Sequence, residues 1–166
     1  MFSAALIALA EDVLSAARVK GLRIATAESC TGGLIVGLLT EIPGSSDVVE
    51  RGFVTYSNEA KADLLGIPLS LIQENGAVSE VVARAMAEGA VQHSLAQIAV
   101  AVTGIAGPGG GTTAKPVGLV HMAVSRDGGQ TVHEEHRFGD IGRTEVRLAT
   151  VEAALRLVQK MMATNP

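Results

Sequence analysis

Tryptophan is absent from the 166-residue chain, tyrosine occurs once and phenylalanine three times. Base-stacking platforms need several rings on one surface, so this composition argues against a single-strand-binding module. No basic cluster compensates, because the formal net charge is -4. The electrostatic footprint of a nucleic-acid binder is therefore missing. Cys30 is the one cysteine, which rules out an intramolecular disulfide and fits a reduced, cytoplasmic setting. No apolar run is long enough to span a bilayer, so no membrane partner is expected. The run Met1 to Ala10 ends in Ala8-Leu9-Ala10 but lacks a positive leader. Leu6, Leu9, Val13, Leu14 and Ala17 keep helical spacing through Glu11 and Asp12, which predicts an amphipathic first helix rather than a signal peptide.

What the chain does have is 48% hydrophobic residues against 18% charged, with alanine, valine, leucine and glycine prominent. That is the composition of helices packed on a buried sheet, in a chain long enough to build its core without staples. No linker, repeat or low-complexity tract divides residues 1–166, so one domain is expected. Strands are predicted over Leu22–Ala27, Val48–Tyr56, Gln97–Thr103, Val117–Ser125 and Thr131–Phe138, the last two a hairpin across Asp127-Gly128-Gly129. Helices alternate with them, from Leu34 to Glu41, from near Asn58, from Pro68 to Asn75, from Glu80 to Ala90 and from Arg143 to Met162. This order predicts an α/β fold, a three-layer α/β/α sandwich on a mixed, mainly parallel sheet of about five strands.

Four segments carry more polar and glycine detail than packing requires. Ser29 follows a strand and precedes a helix, where side chains at strand carboxyl ends face a crevice. Capping accounts for Ser29 and Thr31 as readily. Gly32 and Gly33 are poor helix formers but leave N–H groups free for an oxyanion or phosphate. Lys61 lies about three positions past Asn58, read as the N-cap, where the helix dipole and partial burial both lower an amine's pKa. It then becomes a candidate base, although a solvated lysine is the plainer account. Tyr56 ends the strand just before it. The loop Thr103-Gly104-Ile105-Ala106-Gly107 and on to Gly111 fits neither the phosphate-loop nor the dinucleotide pattern. Arg143 and Arg147, four apart, could present two guanidinium groups to a phosphate. In His133-Glu134-Glu135-His136 the histidines face opposite sides of a strand, so no metal site is expected there. His93 and His121 read as isolated structural residues.

Taken together, Thr26–Gly33, Arg51–Lys61, Gly76–Ser79 and Gly104–Pro108 resemble the CinA C-terminal-domain family over nearly the whole chain. The resemblance implies a nicotinamide-nucleotide amidase that converts nicotinamide mononucleotide to nicotinate mononucleotide and ammonia without metal or cofactor. It implies Ser29 as nucleophile, Lys61 as its base and Tyr56 as relay or orienting group. Glu28, Cys30, Thr31, Gly32, Gly33, Asn58, Thr103 to Gly107, Arg143 and Arg147 are expected to bind substrate, with N–H groups of Thr31 to Gly33 on the oxyanion. Gly139-Asp140-Ile141-Gly142-Arg143 is two residues longer than the family's usual run. Alternatives are a non-catalytic nucleotide-binding or scaffold domain, and a serine amidase for another carboxamide. The expected partners are a small nucleotide substrate and further copies of the chain in a homo-oligomer.

Overall fold

Side-chain size divides the strands into two unlike faces. Along β3 (Ile98–Gly104), Ile98, Val100 and Val102 point into one apolar cluster while Ala99 and Ala101 point into another. Alternation with period two makes this division automatic. The same split holds in β1 (Ile24–Glu28) and in β4 (Leu119–Arg126). There Val120, Met122 and Val124 oppose Ala123 across the sheet. The bulky face is covered by α1 (Ala4–Val19), α2 (Leu34–Glu41) and α6 (Arg143–Ala163). The alanine face takes α3 (Asn58–Leu65), α4 (Leu69–Asn75) and α5 (Glu80–Gln92). Alanine on the strands lets α5 lie close to the sheet, which is why its own inward residues Ala83, Ala87 and Ala90 are also small.

The computed structural model describes residues 1–164. Its five strands, completed by β2 (Val49–Val54) and β5 (Thr131–Arg137), run in the order β2-β1-β3-β4-β5. β1 pairs in parallel with both β2 and β3, whereas β4 is antiparallel to β3 and to β5. Only β4 is therefore reversed, and the sheet is the mixed, mainly parallel one expected. Helix starts follow ordinary caps: Ser3, Ser57 and Ser79 accept from the N–H groups of Leu6, Ala60 and Val82. The cap of α3 is thus Ser57, not Asn58, and Lys61 sits one position further into the helix than the sequence reading has it. No helix among the described residues is long and apolar enough to cross a membrane.

This topology positions one place for chemistry. From β1 the chain crosses to β2 on one side, then returns to β3 on the other. The loops leaving β1 and β3 diverge there, and open α/β sheets bind ligands at that divergence, outside the strand carboxyl ends.

Candidate active site

The turn after β1 is built around a carboxylate. Glu28 is fully buried, and its oxygens accept from the hydroxyls of Thr26 at 3.2 Å and Thr31 at 2.6 Å. They also accept from the N–H groups of Gly33, Ile35 and Val36 at 3.1, 3.0 and 2.9 Å. Those N–H groups belong to the first turn of α2, whose own N-cap, Gly33 at φ 100, has no side chain to satisfy them. Glu28 therefore caps the helix from the preceding strand. Arg147 secures the turn from α6, donating to the carbonyls of Cys30 at 3.1 Å and Thr31 at 2.9 Å. Replacing Glu28 by Gln turns one acceptor into a donor facing donors. A loss of about 2–4 kcal/mol in chemical-denaturation stability is expected.

Ser29, held by this turn, sits at the floor of a cleft of about 280 Å³. Lys61 reaches it from α3: Nζ lies 3.1 Å from Ser29 Oγ, 2.9 Å from the Thr55 carbonyl and 3.4 Å from that of Tyr56. The side chain is buried, only 1% exposed. Burial pushes its pKa below the usual lysine range, against the opposing influence of Cys30 and Glu59. The cause is desolvation by the surrounding chain. Two of the three neighbours of Nζ are carbonyl oxygens, which only accept. A neutral amine has two N–H bonds for them and one lone pair left, and the remaining neighbour is a hydroxyl able to donate to it.

Cys30 also borders the cleft, but burial pushes its thiol up to about 12. A thiol so hard to ionise is a poor rival to the neighbouring serine. The Thr55 hydroxyl is the buried side-chain oxygen without a partner among the described residues, immediately beside the carbonyl that holds Lys61.

Of the residues expected to meet substrate, Ser29, Cys30, Tyr56, Asn58, Lys61, Thr103 to Gly107 and Arg143 all border the cleft. Glu28, Thr31, Gly32, Gly33 and Arg147 do not; they build the turn underneath. The oxyanion assignment changes for the same reason. The Gly32 N–H donates to the Ser29 carbonyl and that of Gly33 to Glu28, so neither is free, and Thr31 is fully buried away from the cleft lining. Tyr56 borders the cleft, yet its phenol meets Arg143 Nη2 at 3.2 Å rather than Ser29 or Lys61. It is the Tyr56 carbonyl that touches the amine, so a relay through the ring is not the arrangement here. Arg143 also donates to the Gly107 carbonyl at 2.8 Å, tying the start of α6 to the glycine loop.

Ala77 and Val78 were missed as lining residues. Their motif, Gly76 to Ser79, was visible, but nothing in small apolar side chains announces a ligand. The Thr103 hydroxyl holds this segment by donating to the Ala77 carbonyl at 2.8 Å. Gly104 leaves β3 where an added Cβ would meet Val120 Cγ2 at 2.6 Å, so the turn into the loop needs glycine for close approach to β4.

Residues 6–162 match the CinA C-terminal domain family. The chain belongs to that family. It is 50% identical over 154 residues to a CinA-like protein of Mycolicibacterium paratuberculosis, covering 91% of this chain and 36% of that protein. A CinA-like protein of Syntrophus aciditrophicus is 51% identical over 146 residues, 87% of this chain and 34% of its own length. The chain thus spans about a third of these longer relatives. Among solved structures, the competence/damage inducible protein CihA from Agrobacterium tumefaciens superposes with a TM-score of 0.95 at 54% identity, covering 97% of this chain and 98% of that one. The competence damage-inducible protein A of Klebsiella pneumoniae gives 0.90 at 33% identity, covering 96% and 99%. The three-layer fold of this family is the one described above.

Proposed function

We propose that this CinA-family chain hydrolyses the carboxamide of nicotinamide mononucleotide, giving nicotinate mononucleotide and ammonia. The observation that carries the reading is the buried Lys61 amine 3.1 Å from Ser29 Oγ. A neutral amine takes the hydroxyl proton as Oγ attacks the carboxamide carbon. The amine, now an ammonium, returns that proton to the departing nitrogen, so ammonia leaves and an acyl ester stays on Ser29. Water then attacks the ester as Lys61 takes its proton; the acyl–Oγ bond breaks, Lys61 passes the proton to Ser29 Oγ, and nicotinate mononucleotide leaves with serine and neutral amine restored. For the oxyanion the supporting candidate is the N–H of Cys30, a residue that borders the cleft; this N–H reaches no backbone acceptor among the described residues and stands beside its own thiol.

The phosphate is assigned to the glycine loop and Arg143. The N–H groups of Ala106, Gly107, Gly109 and Gly110 point to no protein acceptor among the described residues, and all four residues border the cleft. Arg147 is spent on the turn. Arg143→Ala is therefore expected to raise KM for nicotinamide mononucleotide about tenfold or more, the loss of a charge-assisted contact, and to lower stability by about 1 kcal/mol through the Gly107 carbonyl that loses its donor. Arg147→Ala should lower stability by about 1–2 kcal/mol, because the Cys30 carbonyl loses its donor while that of Thr31 keeps the Leu34 N–H.

The reading is tested by incubating purified protein with nicotinamide mononucleotide and measuring ammonia, with and without chelator, beside a panel of other carboxamides. Release from the mononucleotide that chelator leaves unchanged supports it. Nucleotide binding without product points to a binding or scaffold role, and preference for another amide reassigns the substrate.

A further inference from the structure

Outside the cleft, a group of titratable side chains surrounds two histidines on the alanine face. His121 on β4 lies opposite Thr103 on β3 and Glu135 on β5, and His133 lies opposite Ala123. His121 Nδ1 and His133 Nε2 are 2.9 Å apart. The ring centroids are 5.1 Å apart with planes 21° from parallel. That centroid separation nearly equals the nitrogen distance plus the two ring radii, so the rings meet edge to edge along one line. They share an in-plane N–H···N bond and are not stacked face on face. A metal ion between them does not fit: bonds of about 2.0–2.1 Å meeting at a tetrahedral angle need more room than 2.9 Å. The shared atom is a proton.

Proton counting then limits the states. One neutral imidazole must accept, so the bond survives with both rings neutral or with one charge on the pair. A second charge puts a hydrogen on each facing nitrogen and the bond is lost. The outer nitrogens face carboxylates, His133 Nδ1 with Glu80 at 3.6 Å and His121 Nε2 with Glu135 at 3.9 Å. The other charges around the pair are Arg84 on α5, Lys115 in the loop before β4 and Glu134 on β5. Burial, the largest influence on each, depresses both histidines. The unfolded chain accordingly binds more protons, and the pair's contribution to stability is present above about pH 6.5 and lost as pH falls below it.

The pair stands behind the cleft wall. Glu80 is the first residue of α5, and the segment before it, Gly76 to Ser79, supplies Ala77 and Val78 to the lining. Thr103, beside His121, holds Ala77, and Lys115 holds the Asn75 carbonyl at 3.2 Å. We propose that His121 and His133 form a proton-operated latch on this wall, closed with at most one charge on the pair and opened by the second. Nothing in this depends on which ligand the cleft takes.

The test follows imidazole nitrogens and backbone amides by NMR through an acid titration of the intact protein. The two histidines should titrate in two separated steps, and the Ala77 and Val78 amide resonances should move in concert with the second. In His133→Gln, and equally in His121→Gln, the movement at Ala77 and Val78 in that pH range should disappear. Independent single-step titration of the two rings overturns the latch. So do wall amides that stay still in the wild type, or that move unchanged in either variant. The wild-type titration alone decides the matter if a variant fails to fold.

Discussion

Ser29→Ala is expected to reduce ammonia release from nicotinamide mononucleotide by at least about a thousandfold, the scale on which a nucleophile acting as a unit with its base is lost. Its Oγ makes one side-chain hydrogen bond, the 3.1 Å contact to Lys61. The turn that carries it is secured by Glu28 and Arg147 through other atoms. Removing the hydroxyl therefore leaves the scaffold intact, and the circular-dichroism spectrum and melting temperature should be close to those of the parent. Nucleotide affinity should also persist, because the glycine loop and Arg143 are untouched. An alanine variant that turns over at the parental rate would end the serine mechanism.

Lys61→Met is expected to lower kcat by about a hundredfold to ten-thousandfold, the usual range for a positioned base, with a much smaller change in KM. The long apolar stem is preserved and the buried space stays filled. The pH dependence separates base from bystander. A base works in its neutral form, so in the parent kcat/KM falls as pH drops through the pKa of Lys61. Burial sets that pKa below the ordinary lysine range. Stability follows the same sign: the fold favours the neutral amine, the unfolded chain binds the extra proton, and stability declines as pH falls from the unfolded lysine value. In the methionine variant both dependences should lose this component. An unchanged pH–rate profile in its residual activity would contradict the assignment.

Much of this arrangement was legible beforehand, and where it was not, the reason is physical. Strand and helix order followed from periodicity and from glycine, proline and serine at the breaks, so the five strands and the helix from Leu34 to Glu41 stand where expected. Ser29 and Lys61 were legible as candidates, but their distance was not, since it depends on β1 and β2 being parallel neighbours. The depressed Lys61 amine was anticipated from the helix dipole as much as from burial, whereas burial is the cause the fold supplies. Glu28 and Arg147 are read from sequence as substrate contacts, whereas their side chains hold backbone groups of the turn, because a charged side chain looks the same in sequence whether it faces ligand or backbone. His121 read as isolated because its partner His133 is distant along the chain and adjacent only across the β4–β5 hairpin.

The account rests on a covalent bond forming at one oxygen. Rapid acid quench of protein mixed with nicotinamide mononucleotide, followed by peptide mass spectrometry, should find the nicotinate mononucleotide acyl group on the peptide containing Ser29, and on that serine after fragmentation. The adduct should be absent from Ser29→Ala. An acyl group carried by Cys30 instead, or steady ammonia release by Ser29→Ala, would contradict the account.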